Sequence, residues 1–113
     1  MALLTAVVLS NTAALSVPVA AATGDRISGG DIAAGAILEV KNASGGSITV
    51  TIVDPGLTAA GNATVSPQTA GLFTVAAGTT KRIKPSTVFV SAATAEATVN
   101  YSATTSVTYE LYR

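Results

Sequence analysis

The sequence predicts an all-β fold: a single-domain antiparallel β-sandwich, of jelly-roll or immunoglobulin-like type, with roughly eight short strands. The length of 113 residues suits one domain, spanning residues 1–113. Apolar and polar residues alternate with a period of two in several segments, and glycine- or proline-containing turns separate those segments. No comparable segment repeats its apolar residues at the helical period between helix caps.

The alternation is clearest in residues 37–41, 47–53 and 106–112. In the segment 47–53, Ile and Val alternate with Ser and Thr, which predicts a strand with one face on a core and one in solvent. β-branched residues suit such a strand because they pack well on a pleated surface. Less regular apolar segments predict the remaining strands, at residues 3–9, 14–20, 72–75, 81–84, 86–90 and 97–102.

Turn-forming residues mark the connections. Residues 43–46 (ASGG) lie between two alternating segments and predict a hairpin loop, and the DPG sequence at 54–56 predicts a tight turn. Two longer stretches, 23–35 and 56–71, are rich in small and polar residues and are predicted to be long loops. Long loops of a compact β domain often carry contacts with other molecules.

The composition favours a protein that works within an assembly. Hydrophobic residues make up 49% of the chain, charged residues only 11%, and the formal net charge is +0. Charged residues normally supply about a quarter of a soluble protein. The surface must therefore consist largely of small neutral residues, which do little to keep neighbouring molecules apart.

Missing residue types exclude most kinds of chemistry. The chain has no His and no Cys, so it lacks the usual general base at neutral pH, the thiolate nucleophile and the commonest metal ligands. Without His, the Ser residues cannot form a hydrolase triad. Formal neutrality removes the basic footprint of a nucleic-acid-binding protein. We therefore predict no enzymatic activity, no cofactor, no metal and no nucleic-acid partner.

The apolar segment 1–22 resembles a secretory signal in composition only. No Lys or Arg precedes Arg26, and Asn11, Thr12 and Pro18 interrupt the apolar run. The first feature argues against a signal peptide and the second against a transmembrane helix. We expect a strand pair turning near residues 10–12, or an arm engaged in contacts, without membrane association.

Two other patterns are given structural interpretations. Asp25 and Asp31 flank a glycine pair, but the spacing lacks the alternating oxygen ligands of an EF-hand loop, so both are interpreted as solvated turn residues. Asn42, Asn62 and Asn100 each begin an N-glycosylation acceptor sequence. A chain this rich in Ser and Thr matches that pattern by chance.

Lys81, Arg82 and Lys84 form the one basic cluster of the sequence. Alternation places Arg82 and Lys84 together on the solvent face of a strand. The cluster either contacts an acidic patch on a partner or protects an edge strand against aggregation by its charge.

Three tyrosines make up most of the aromatic content. We expect Tyr101 and Tyr109 to pack in the core and Tyr112, beside Arg113, to face outward. Aromatic and Arg side chains are enriched at the centres of protein interfaces, so this pair is a candidate for contact with a partner.

Along its whole length the chain resembles the small β-sandwich decoration (cement, or minor capsid) proteins of tailed bacteriophages, particularly those of actinobacterial hosts. The resemblance lies in MALLTAVVLSNTAALSVP at 1–18, ILEVKNASGGSITVTIVDPG at 37–56, VAAGTTKRIKP at 75–85 and VNYSATTSVTYELYR at 99–113. It implies a virion protein that is made in the host cytoplasm and binds the outside of an assembled capsid. The implied partners are the major capsid protein and further copies of the chain, for instance in a trimer.

On this basis the predicted protein-interaction residues lie in the N-terminal segment, the basic cluster and the C-terminus: Leu3, Leu4, Val7, Val8, Arg82, Lys84, Tyr112 and Arg113. Two alternatives stay open at this point. A phage tail or head-fibre component would have the same kind of sequence. A secreted or cell-surface adhesion module, such as a carbohydrate-binding sandwich, would usually display aromatic residues for stacking on sugars, and the chain has no Trp.

Overall fold

The structure, a computed structural model, describes residues 2–10, 18–55 and 71–113. These ranges contain eight strands, one short α-helix and one 3-10 helix. In chain order they are β1 (Val19–Ala20), β2 (Asp25–Ser28), α1 (Gly29–Ala33), β3 (Ile37–Asn42), β4 (Ile48–Ile52), β5 (Leu72–Val75), β6 (Thr80–Ile83), the 3-10 helix (Thr87–Phe89), β7 (Glu96–Tyr101) and β8 (Val107–Tyr112).

The strands form two four-stranded antiparallel sheets, with the orders β1-β8-β3-β6 and β2-β7-β4-β5. The first strand pairs with the last, the second with the seventh, the third with the sixth and the fourth with the fifth. This is the strand order of a jelly roll, in which one long hairpin is rolled into two sheets. The predicted β-sandwich is confirmed, and the strand order selects the jelly roll over the immunoglobulin-like arrangement.

The core lies between the sheets and follows the alternation seen in the sequence. Ile48, Val50 and Ile52 are buried while Thr49 and Thr51 between them are half-buried on the outer face. Tyr101 and Tyr109 lie in the core, as predicted, with 5% and 7% of their surface exposed. Burial of these alternate apolar side chains is the main stabilising contribution to the sandwich.

The predicted hairpin loop at residues 43–46 is wrong, because this loop joins β3 in one sheet to β4 in the other. The turns at 76–79 and 102–106 also pass from sheet to sheet. Alternation with an intervening Gly-Gly turn is common to a hairpin and to such a crossing, so the local sequence does not separate them.

Two other predicted elements also differ from those in the structure. The stretch 23–35, predicted as a loop, contains β2 and α1, since Ile27 is fully buried and Ser28 Oγ caps the helix by accepting from Gly30 N at 3.2 Å. The predicted strand at 86–90 is the 3-10 helix, which begins after Ser86 and buries Phe89. Most of the predicted loop 56–71 lies outside the described residues.

The N-terminal segment is an arm rather than a continuous strand. Leu3 forms an isolated parallel bridge with Arg26 at the edge of one sheet, and Val7 forms another with Tyr112 at the edge of the other. The arm therefore covers edges of both sheets, which would otherwise expose unpaired backbone groups. The predicted strand at 14–20 is represented by β1, while residues 11–17 and most of the predicted turn lie outside the described part.

Tyr101 yields a prediction on alkaline stability. None of the described residues forms a hydrogen bond with its buried Oη, and burial, with smaller contributions from Asp25 and Tyr109, raises the pKa of this phenol well above its usual value. A raised folded-state pKa gives stability that is fully present below the unfolded value of about 10 and is lost as the pH rises above it.

We therefore expect Tyr101→Phe to be about 1 kcal/mol more stable at neutral pH, because an unpaired buried hydroxyl is removed. The gain should grow above pH 10 by as much as about 1.4 kcal/mol per pH unit. Urea unfolding at neutral pH and above pH 10 measures this gain in stability. Tyr109→Phe should gain less, because among the described residues the buried hydroxyl without a hydrogen-bond partner is that of Tyr101. A Tyr101→Phe variant less stable than the parent at neutral pH would contradict the unpaired hydroxyl.

Candidate docking face

The outer surface of the β1-β8-β3-β6 sheet gathers charged side chains in regular rows. On β3, Leu38 and Val40 point into the core, so Ile37, Glu39 and Lys41 point outward. Strand pairing places Tyr112 opposite Ile37, then Glu110 and Arg82 on either side of Glu39, then Thr108 and Thr80 on either side of Lys41. We call this surface the charged face, and it comprises Ile37, Glu39, Lys41, Thr80, Arg82, Thr108, Glu110 and Tyr112.

The middle row holds two carboxylates side by side. Glu39 lies directly across from Glu110, an arrangement that is destabilising for like charges. Arg82 offsets it, with Nε 2.5 Å from Glu39 Oε2. Tyr112 donates its hydroxyl to Glu110 Oε2, and Glu110 is 6% exposed. The row is thus an ordered polar network rather than a set of independent solvated side chains.

A concavity of about 280 Å³ lies over the row of Glu39 and the row of Lys41, with Pro18 and Tyr109 also lining it. Its lining mixes polar and apolar surface and it is partly open, whereas sites for small molecules are usually enclosed and mostly apolar. This shape suits contact with another macromolecular surface better than capture of a small ligand.

The charged face is more apolar at the end where Ile37 lies opposite Tyr112. Ile37 is 37% exposed and Leu9 53% exposed, and Val7 is half-buried beside Tyr112. Arg113, at the end of β8, forms an ion pair with Asp31 of α1, with Nη1 to Oδ1 at 3.1 Å. An apolar patch bordered by polar and charged groups resembles the anatomy of protein interfaces.

The structure brings several predicted interaction residues to this one surface. Arg82 and Tyr112 belong to the charged face, Val7 lies beside Tyr112, and Lys84 and Arg113 follow immediately after β6 and β8. Arg82 and Lys84 are both exposed, as predicted. These residues are far apart in the sequence, and they meet through the pairing of β6 and β8 with β3 and through the bridge between Val7 and Tyr112.

The other predicted residues do not join them. Leu4 is 2% exposed and packs in the core, so its side chain is not on the surface of the folded chain. Its position follows from the arm, in which Leu4 N donates to Arg26 O at 2.7 Å and fixes the side chain over the core. Leu3 is exposed but bridges to β2 of the other sheet, and Val8 is 60% exposed.

Sequence reasoning missed Ile37, Glu39, Lys41 and Glu110 as members of one surface. Their outward orientation could be read from the alternation in 37–41 and 106–112. The register that sets Glu39 against Glu110 is a long-range pairing with no local signal in either segment.

The interpretation of Asp25 as a solvated turn residue is wrong. Asp25 is 1% exposed, and its carboxylate accepts hydrogen bonds from Ala2 N and Ala22 N, both at 3.0 Å. It thereby holds the arm and the β1–β2 turn. Among the described residues there is no group of three or more side chains that could hold a metal ion. None of the helices in the described ranges is long and apolar enough to cross a membrane.

The acceptor sequence at Asn42 is also explained structurally. Asn42 is fully buried, and its Nδ2 donates to Gly46 O at 2.8 Å and Val75 O at 3.0 Å. The side chain is therefore inaccessible to a glycosylating enzyme in the folded protein. Asn62 lies outside the described residues, and Asn100 is half-buried on β7.

Comparison of the chain with protein-family models, with curated proteins and with solved structures finds no match.

Proposed function

We propose that the chain is a structural protein of a tailed-phage virion that binds the outer surface of the assembled capsid and stabilises it. The charged face is the observation that supports this role most directly. It is a sheet surface that combines a polar network with an apolar end. Jelly rolls are recurrent in virus capsids, but also in lectins and cupins, so the fold alone does not decide the function.

The proposed mechanism is thermodynamic linkage. A protein that binds the assembled lattice, and not the dissociated subunits, stabilises the lattice by the free energy of its binding. Symmetry-related copies multiply a modest contact energy at each position. Such a role needs no catalytic group. The proposed partners are the major capsid protein and other copies of this chain, on the exterior of the virion.

The arm changes how this proposal must be tested. Deleting the first ten residues would remove Leu4 from the core and would also remove Ala2 N, one of the two amides that donate to Asp25. Weakened binding could then reflect unfolding. Single substitutions of exposed apolar residues avoid this difficulty. Ile37 and Leu72 suit the purpose, because they are 37% and 43% exposed and lie on the outer faces of opposite sheets.

We expect Ile37→Glu to weaken binding to capsids assembled without the chain by about tenfold, because it places a carboxylate where apolar surface would be buried. Leu72→Glu, the same kind of change on the other sheet, should alter binding less than about twofold. Co-sedimentation of purified protein with capsids measures both. Equal effects of the two variants, or no binding by the parent, would contradict the proposal.

A further inference from the structure

The two sides of the sandwich protect their sheet edges differently. On one side, the arm covers β2 and part of β8 through hydrogen bonds such as Leu4 N to Arg26 O and Val7 N to Leu111 O, both 2.7 Å. On the other side, β6 pairs with β3 alone among the described strands, and none of them lies beyond it. The β6 edge is therefore open to a further strand as far as the described chain shows.

Three cationic side chains, those of Lys81, Arg82 and Lys84, lie in a four-residue span in β6 or just after it. Lys81 shares a side of the sheet with the core residue Val40 but stays exposed, whereas Arg82 points outward beside Glu39. Lys84 is exposed just beyond the strand. Of the three, only Arg82 forms an ion pair with a described residue. Positive charge thus borders the open edge on both faces of the sheet.

We propose that the β6 edge binds an acidic, extended segment of a partner protein, which adds to the sheet as a further strand. Backbone hydrogen bonds to the open edge would supply affinity, and carboxylates opposite Lys81, Arg82 or Lys84 would supply specificity. The inference rests on the proposed function. It specifies the chemistry of the partner segment that would bind at β6, the strand at the edge of the charged face.

Charge protection of the edge is the competing explanation, because Lys side chains and inward-pointing charges on an edge strand discourage edge-to-edge pairing. It predicts that acidic and basic peptides bind equally poorly, whereas the proposed site binds the acidic peptide. A nucleic acid fits poorly, because Glu39 and Glu110 lie in the same row as Arg82 and β6 carries no aromatic side chain on which a base could stack.

The test uses a blocked synthetic peptide of alternating Glu and Val, about six residues long, which is ordinary strand length. Titration followed by amide chemical shifts should show saturable binding, with a Kd of about 1 mM or tighter, and shifts concentrated in β6. A Lys-Val peptide and an N-methylated version of the Glu-Val peptide should both fail, the first through charge and the second through lost backbone donors.

Charge reversal at two lysines gives a matched pair. Lys81→Glu should weaken binding of the Glu-Val peptide about tenfold, because a cross-strand attraction becomes a repulsion. Lys41→Glu, an identical change of net charge on the inner strand β3, should weaken it less than about threefold. Both sites are exposed, so each variant should fold, and circular dichroism is used to check this before the titration.

Equal binding of the acidic and basic peptides, shifts away from β6, or equal effects of the two lysine variants would overturn the inference. Tighter binding of a single-stranded DNA oligonucleotide than of the Glu-Val peptide would also overturn it. Failure of the capsid-binding experiment with a positive peptide titration would instead reject the virion role and leave the edge as a site for another acidic partner.

Discussion

Replacement of Asn42 by Asp should cost about 3 to 5 kcal/mol of the free energy of unfolding. Asn42 Nδ2 donates to Gly46 O and Val75 O, and its Oδ1 accepts from Ser44 N at 3.0 Å. An ionised Asp has the same shape as Asn, but it places a carboxylate oxygen, which carries no hydrogen, next to the two carbonyl oxygens. It also buries a charge. Because a domain of this size has about 5 to 15 kcal/mol in total, the loss is a large fraction.

Urea unfolding followed by circular dichroism measures this effect. Asn100→Asp is the matched control, since it makes the same chemical change on the half-buried outer face of β7 and should cost less than about 1 kcal/mol. Similar losses for the two variants would show that the network around Asn42 does not hold the β3–β4 connection against β5.

Replacement of Asp25 by Ala should cost about 3 kcal/mol and release the arm. The carboxylate accepts from Ala2 N and Ala22 N, and hydrogen bonds to a charged group are worth about 1.5 to 3 kcal/mol each. Without it, both amides lose their acceptor, and the pairing of the arm with Arg26 loses its anchor. Asp25→Asn should lie between the parent and the Ala variant, since its side-chain oxygen can still accept one hydrogen bond.

Hydrogen exchange distinguishes release of the arm from general unfolding. In Asp25→Ala, the amides of Leu4 and Arg26 should exchange faster relative to those of the central strands, because the hydrogen bonds from Leu4 N to Arg26 O and from Arg26 N to Ala2 O open locally. Asp31→Ala removes a carboxylate whose ion pair with Arg113 is near the surface, and should cost less than about 1 kcal/mol. An unchanged exchange rate at Leu4 in Asp25→Ala would show that this carboxylate does not anchor the arm.

The fold class could be predicted because it depends on local patterns. The alternation of Ile48, Val50 and Ile52 with Thr is sufficient to indicate a half-buried strand. It does not indicate which strand lies alongside. The sequence around residues 43–46 therefore predicts a hairpin, whereas the chain crosses to the other sheet at this point.

The surface was less predictable than the core for the same reason. Arg82 and Tyr112 could be identified as exposed interaction candidates from their residue types, but Glu39, which lies next to Arg82, depends on the register of β3 and β6. Leu4 and Asp25 depend on long-range pairing in the same way. Local sequence indicates a contact residue in an apolar segment and a solvated turn residue, whereas pairing of the arm with β2 buries both.

The edges of the sandwich connect the fold with the proposed role. The chain's own arm, held by Asp25 and Leu4, covers β2 and part of β8, while no described strand pairs with the outer edge of β6. A surface of this kind gains most from a partner presented in many fixed copies, because each weak contact is repeated by symmetry. Low overall charge is compatible with such a permanently assembled state.

The proposed virion role is tested most directly by quantitative mass spectrometry of purified particles of a tailed phage whose genome is found to encode this chain. The proposed role predicts that the chain is present in many copies, at a fixed ratio to the major capsid protein. Presence in only a few copies would assign it to the tail or a fibre instead. Complete absence from the particles would contradict a structural role in the virion.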